Sequence, residues 1–223
     1  MLITMVIRKK KIGDYLLDGF NYVILFLVGV STLYPFWHVF MASLSKGSKI
    51  DAHRGFLLWP LSFDLSSYRA AFANQMIGIG FKNTAIILVI GVPLSLLFNF
   101  LGAYFFSRSN VYWKPLFVKL LIVTMYFSGG LIPTYFVVRS LGLIDKLWSL
   151  IIPGLMSTSR MIIMRTYING LPKELEESAE IDGAGHLTKL FVIILPLSKA
   201  IFAVMALYFS VDYWNSWSSA LIY

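Results

Sequence analysis

No cysteine occurs among the 223 residues, which removes disulfides, thiolate zinc ribbons and thiol nucleophiles together. Charge is scarce as well, at 13% of the chain, about half the usual share of a soluble domain. The three histidines, His38, His53 and His186, stand apart, with no His-Glu-x-x-His and no Gly-x-Ser-x-Gly to assemble a zinc or serine site. No Gly-x-x-x-x-Gly-Lys loop is present and no Gly-Lys pair occurs at all, so this chain lacks a phosphate cradle of that kind. A membrane-embedded enzyme is therefore not expected. The net charge of +8 could suggest nucleic acid, but the cations stand singly or in short groups between apolar runs rather than on one helical face. Nucleic acid is not an expected partner.

What fills the chain is apolar: 58% hydrophobic and 16% aromatic residues, with a mean hydropathy of +0.74. A soluble core cannot absorb that much apolar surface, so the composition predicts an all-α, polytopic transmembrane bundle. About 20 apolar residues cross a bilayer, and that length predicts five spans, at 20–42, 84–106, 116–138, 147–168 and 197–222. Residues 1–19 then form a cytoplasmic N-terminal segment and 20–223 the membrane domain. The opening Arg8-Lys9-Lys10-Lys11 is not read as a signal peptide, because no charge appears from Gly19 to Ser45, longer than a signal's apolar region of about 7–15 residues. The same cluster places the N-terminus in the cytoplasm, with Arg108, Lys114, Lys173 and Lys189 on that side too.

Three spans carry interruptions. "SGGLIP" (Ser128 to Pro133) predicts a weakened or kinked helix, tolerable only where neighbours satisfy the freed backbone. The fourth span holds Pro153, Ser157, Thr158, Ser159 and Arg160, and the fifth holds Asp212 beside Tyr213, Trp214 and Asn215. Ionisable groups in spans face cavities or partners, which makes Ser157, Ser159, Arg160, Asp212, Trp214 and Asn215 candidates for a polar path. Trp214 and Trp217 also suit an interfacial aromatic belt, Arg160 suits a structural role, snorkelling or a pair with a neighbouring chain, and Gly129 and Gly130 suit helix packing.

The densest polar patch is "ELEESAEIDGAGHLTKLFVIILP", from Glu174 to Pro196, with five carboxylates. Pro172 fits the first turn of a helix, and Glu174, Glu176 and Glu177 sit near its positive end. Leu171, Leu175 and Ala179 recur on one face, and Gly183 and Gly185 are expected to stop the helix in a left-handed turn. The residues 187–194 continue as helix or strand. The segment 169–196 thus reads as a cytoplasmic hairpin. It is either an interfacial amphipathic element or a handle for a basic protein groove, and its acidic face disfavours anionic lipid.

This patch resembles the E-A-A loop of permease subunits of bacterial ATP-binding-cassette (ABC) importers, carbohydrate (maltose-type) branch. The motif falls on Glu177, Ser178 and Ala179, then Asp182, Gly183 and Ala184, then Phe191, Ile194, Leu195 and Pro196. "LWPLSFDLSSYRAAF", "GAYFFSRS", "VRSLGLIDKLWSLIIPGL" and "YWNSWSSALIY" are similar to other parts of the same family. Ser178 departs from the central alanine, and Ala200 stands where a proline is common. Family members continue through a sixth span, so a truncated chain is the expectation.

The resemblance implies a type I ABC importer permease in the bacterial cell membrane, working with a second homologous permease subunit, two cytoplasmic ATPase subunits and an extracytoplasmic solute-binding protein. It implies a sugar or oligosaccharide cargo. ATP and Mg would sit on the ATPase, with no cofactor or metal on this chain. Leu175, Glu177, Ser178, Ala179, Asp182, Gly183, Ala184, Leu195 and Pro196 would form the coupling surface. The alternatives are an ion-coupled secondary transporter using Asp212 and a structural scaffold.

Overall fold

A computed structural model of the chain describes residues 12–223. The Arg8–Lys11 cluster, on which the orientation argument leans, lies outside the described residues. Among the described residues there is no strand, only one antiparallel bridge between Ser45 and Phe63.

The chain divides into two units, one ending at Gly78 and one spanning Ile79–Tyr223. In the first, α1 (Ile12–Ser43) runs through Pro35 as a single helix. It is helical from the first described residue, ahead of the expected span, with Asp14 near that end. Beyond it lie the short helices α2 (Gly47–Ala52) and α3 (Ser66–Ala73). Side chains of α1 pin the intervening loop: Leu57 N–H donates to the Tyr34 hydroxyl at 2.9 Å and Trp37 Nε1 donates to the Leu58 carbonyl at 3.0 Å. The buried Ser45 hydroxyl accepts from Leu61 N–H at 3.1 Å.

The second unit is organised around α4 (Gln75–Ser107), of 33 residues. At 1.5 Å per residue it extends roughly 50 Å, more than the ~30 Å hydrocarbon core, so both ends project into the polar zones. Its buried positions include Ile87, Gly91, Ser95, Asn99, Phe100 and Ala103, a stripe at helical spacing.

The expected third span is broken. α5 (Lys114–Tyr126) and α6 (Leu131–Ser140) meet at 113°, with Gly130 at φ +81° just before α6. The expected fourth span is not one helix either. It comprises α7 (Trp148–Ile151), a 3₁₀ turn at Ile152–Gly154, an extended step, and α8 (Thr158–Asn169). Pro153 has no N–H to continue the ladder, and the hydroxyls at 157–159 compete for the backbone.

After α8 come α9 (Lys173–Ile181), α10 (His186–Thr188), a π-helical segment Lys189–Ile194 and α11 (Leu195–Leu197). α12 (Lys199–Trp214) then leaves at 81°, and α13 (Trp217–Ile222) follows a break at 215–216. Among the described residues, two helices are individually long and apolar enough to cross a membrane, and the two bent pairs qualify when each is taken together.

The core of this unit joins Phe100, Met161, Met164, Leu190, Ile194, Met205 and Phe209. Ile201, Met205, Phe209 and Tyr213 are buried at intervals of four on α12. The core runs between α4, α8, the π segment and α12, where close packing, and not removal from water, holds helices together.

Candidate functional site

Two polar features stand out of this apolar frame. The first is the hairpin at 169–196. Pro172 lies just outside α9 as its N-cap, at φ −58° and ψ 122°, and Glu174 and Glu176 occupy the first turn. The far end closes with Gly183 N–H donating to Glu180 O at 3.0 Å and Ala184 N–H donating to Ala179 O at 2.8 Å. These two bonds, wrapped around Gly183 at φ +78°, form a Schellman cap. Gly185 does not share that conformation: it is extended, at φ −71° and ψ 169°, and starts the next helix. Only one of the two glycines is thus needed for the left-handed turn. The second arm, 186–197, is helical rather than extended.

The inner face of α9 is tied to its own chain. Glu176 forms a two-pronged ion pair with Arg108, just past the end of α4, with Arg108 Nη2 donating to Oε1 at 3.0 Å and Nη1 to Oε2. The guanidinium stacks 4.3 Å above the Tyr104 ring, and the Tyr104 hydroxyl donates to the His186 carbonyl at 3.3 Å. Burial draws the Arg108 pKa down, but the hydrogen bond and charge of Glu176 outweigh this and leave it raised. Lys189 is buried and donates to exposed Glu180 at 2.8 Å, which holds the Glu180 carboxyl below its ordinary value. A polar cavity of about 540 Å³ opens here, between Ser107, Arg108, Asn110, Glu176, Glu180 and Lys189.

The outer face carries Leu175, Glu177, Ser178, Asp182 and Gly183, all exposed, together with Ile181 at 87% and Leu187 at 70% exposure. Ala179, expected on that face, is 9% exposed and turns inward. Ala184 and Leu195 are half-buried and Pro196 is exposed. Ile181 and Leu187 escaped the sequence reading, although isolated large apolar residues in an acidic turn were a usable signal.

The second feature surrounds the interruption before α8. Asn99, fully buried, donates through Nδ2 to the carbonyls of Ser95 and Leu155, both at 2.7 Å, and accepts from Ser157 N–H at 3.0 Å through Oδ1. The side chain therefore supplies partners to backbone groups that the helix break leaves open. Ser95 Oγ lies 2.8 Å from the Tyr213 hydroxyl, which donates to Ile151 O at 3.4 Å. Tyr213 fits because position 91 is glycine; a Cβ there would stand 2.9 Å from the ring.

Arg160 pairs with Asp212 and lies 4.6 Å from the Phe209 ring centroid. Ser157 Oγ is 3.1 Å from Ser159 Oγ. The structure thus joins Arg160 to Asp212 and Ser157 to Ser159. Trp214 is exposed and contacts the Phe81 ring at 6.2 Å, while Asn215 Nδ2 bonds back to Val211 O at 2.8 Å. Neither residue joins the Arg160 pair. The sequence reading placed a span at 84–106 and passed over Ser95 and Asn99 within it. An asparagine within such a run is costly unless paired, and that was the available signal.

No family model matches the chain. It is 36% identical to the polygalacturonan/rhamnogalacturonan transport system permease protein YtcP of Bacillus subtilis, over 96% of this chain and 73% of that protein. It is 39% identical to the protein LplC of the same organism, over 90% of this chain and 68% of LplC. In structure it is similar to a bacterial ABC transporter that imports the acidic polysaccharide alginate, with a TM-score of 0.87, 30% identity, and coverage of 93% of this chain and 74% of that one.

Proposed function

The chain belongs to the permease subunits of carbohydrate ABC transporters, and from that premise we propose how its two polar features divide the work of sugar import. It is a membrane component of an ATP-driven sugar or oligosaccharide importer, not an ion-coupled carrier. Asp212, the residue on which ion coupling would depend, is already paired with Arg160.

In this reading the hairpin at 169–196 is the coupling element, received by a separate cytoplasmic ATPase subunit that holds ATP and Mg. The observation that carries it is the outer face of the hairpin. Leu175, Ile181 and Leu187 are exposed anchors set among Glu177, Ser178 and Asp182, an apolar-plus-acidic surface suited to a groove with basic walls. The inner face is occupied by contacts to its own chain. Glu177, Ser178, Asp182 and Gly183 are the proposed contacts. Ala179, Ala184, Leu195 and Pro196 support the hairpin from behind.

The interrupted helix forms part of the translocation path. Discontinuous membrane helices expose backbone and hydroxyl groups to a cavity, and Ser157, Ser159, Arg160 and Asp212 supply polar groups there, with Trp214 and Asn215 one turn away. A second permease subunit completes the path, a solute-binding protein delivers the sugar, and the N-terminus is cytoplasmic. ATP-driven closure draws the hairpins of the two permeases together and tips the spans between inward- and outward-facing states.

The lack of cysteine makes the test direct. Ser178→Cys should crosslink to a cysteine in the surface groove of the co-expressed ATPase, and Ala179→Cys should not until the hairpin is loosened. No crosslink from Ser178→Cys in an assembled, transporting complex contradicts the coupling reading.

A further inference from the structure

We propose that Arg108 and Glu176 form an intrachain clip that passes movement of the hairpin into α4, so that the neighbouring glutamates 176 and 177 have separate duties. The proposal rests on the coupling reading of the hairpin and adds the route by which its displacement reaches the membrane core.

By covalent links alone the hairpin would be loosely held. It joins α8 through residues 170–172, and it joins α12 at Ser198, where the chain turns by 81°. A short non-helical link at one end and a sharp change of direction at the other let an unsupported element swing. Its second arm is anchored by Leu190 and Ile194 in the core, and its first arm, α9, is held by the Lys189–Glu180 pair and by contact with the end of α4, the long central helix.

That contact is built on both sides. Arg108 is oriented by Ser107 Oγ, which accepts from Nε at 3.1 Å and from Nη2 at 3.0 Å, and by the Tyr104 ring beneath it. The Arg108 carbonyl accepts from Lys114 Nζ at 2.5 Å, tying the α4 exit to the start of α5. Glu176 shares the inner face of α9 with buried Ala179, three residues on. Its side chain and that of Arg108 are 18% and 20% exposed. A two-pronged guanidinium–carboxylate pair in such surroundings fixes orientation as well as distance. From the clip, α4 leads without interruption to Asn99 and Ser95, which hold the helix break and Tyr213. A displacement at the hairpin thereby reaches both polar features through one rigid helix.

Glu177 is exposed, about 100° round the helix from Glu176 and on the rim of the same cavity. The two adjacent carboxylates divide accordingly: Glu176 transmits within the chain, and Glu177 faces the ATPase.

The experiment uses the complete transporter in proteoliposomes with its binding protein and sugar. It measures uptake, ATP hydrolysis, recovery of ATPase subunits with the permease, and the Ser178→Cys crosslink. For Glu176→Gln and Arg108→Gln the expected result is an assembled complex that keeps its crosslink and hydrolyses ATP, with sugar moved per ATP reduced about tenfold or more. The exchange Arg108→Glu with Glu176→Arg should recover much of that ratio. Glu177→Gln should instead reduce recovery of the ATPase. An unchanged uptake-to-hydrolysis ratio in the single variants overturns the clip. So does failure of all the clip variants to assemble, since the pair would then be a folding element. Loss of the crosslink in the otherwise unaltered chain would strike the coupling reading instead.

Discussion

At the scale of single residues, the costs of burial single out Asn99. It is fully buried in a helix that crosses the membrane, and its carboxamide answers the Leu155 carbonyl and the Ser157 N–H where the backbone ladder stops. An unmet buried polar group costs about 1–3 kcal/mol, and Asn99→Leu would leave two of them, while an apolar side chain gains little between helices in lipid. Asn99→Leu should therefore lower the thermal midpoint of the purified protein in detergent by several degrees, and Asn99→Asp should fall at least as far, because its second oxygen would face the Ser95 and Leu155 carbonyls that Nδ2 now serves. A midpoint equal to that of the parent would mean that the break is held by something else. The residue was readable in the sequence as a polar group in an apolar run, but its partners, 56 and 58 positions away, were not.

At the scale of elements, the hairpin depends on one backbone conformation. Gly183 sits at φ +78° with open space where a Cβ would stand, so a substitution is resisted by conformation and not by crowding. The left-handed region costs an ordinary residue about 1–2 kcal/mol, less for asparagine, and it is closed to proline. Uptake by Gly183→Asn should stay close to that of the parent, Gly183→Ala should fall moderately, and Gly183→Pro should lose coupling, since proline also removes the N–H bonded to Glu180 O. Equal uptake by all three variants would contradict the Schellman cap as the joint. The sequence marked this turn from its Gly-x-Gly pair and assigned both glycines the same role. Neighbouring geometry separates them, with Gly185 extended at the head of the next helix.

For the molecule as a whole, charge and contacts bear on its direction across the membrane. The hairpin touches the far end of α4 through Arg108, so the loop at 108–114 shares its side. At the other end of α4, Gly80, Asn83 and Thr84 border a cavity with Asp145, Lys146 and Trp217. With a cytoplasmic N-terminus, a cysteine replacing exposed Tyr112 should react with a membrane-impermeant maleimide only in inverted vesicles, and one replacing Lys146 should react in intact cells. The reverse pattern would invert the topology and detach the hairpin from any cytoplasmic motor.

Apolar content, the lengths of uncharged runs and the local turn signals are properties of short stretches of chain, and for that reason the sequence by itself established a helical membrane protein, placed the elbow and flagged the kink at Gly129 and Gly130. The subdivision of the expected fourth span, the inward turn of Ala179, and the pairings of Arg108 with Glu176 and Arg160 with Asp212 were decided by tertiary structure alone. Each depends on which distant group meets an open hydrogen bond or a buried charge, and that is fixed only when α4, α8, α9 and α12 pack together.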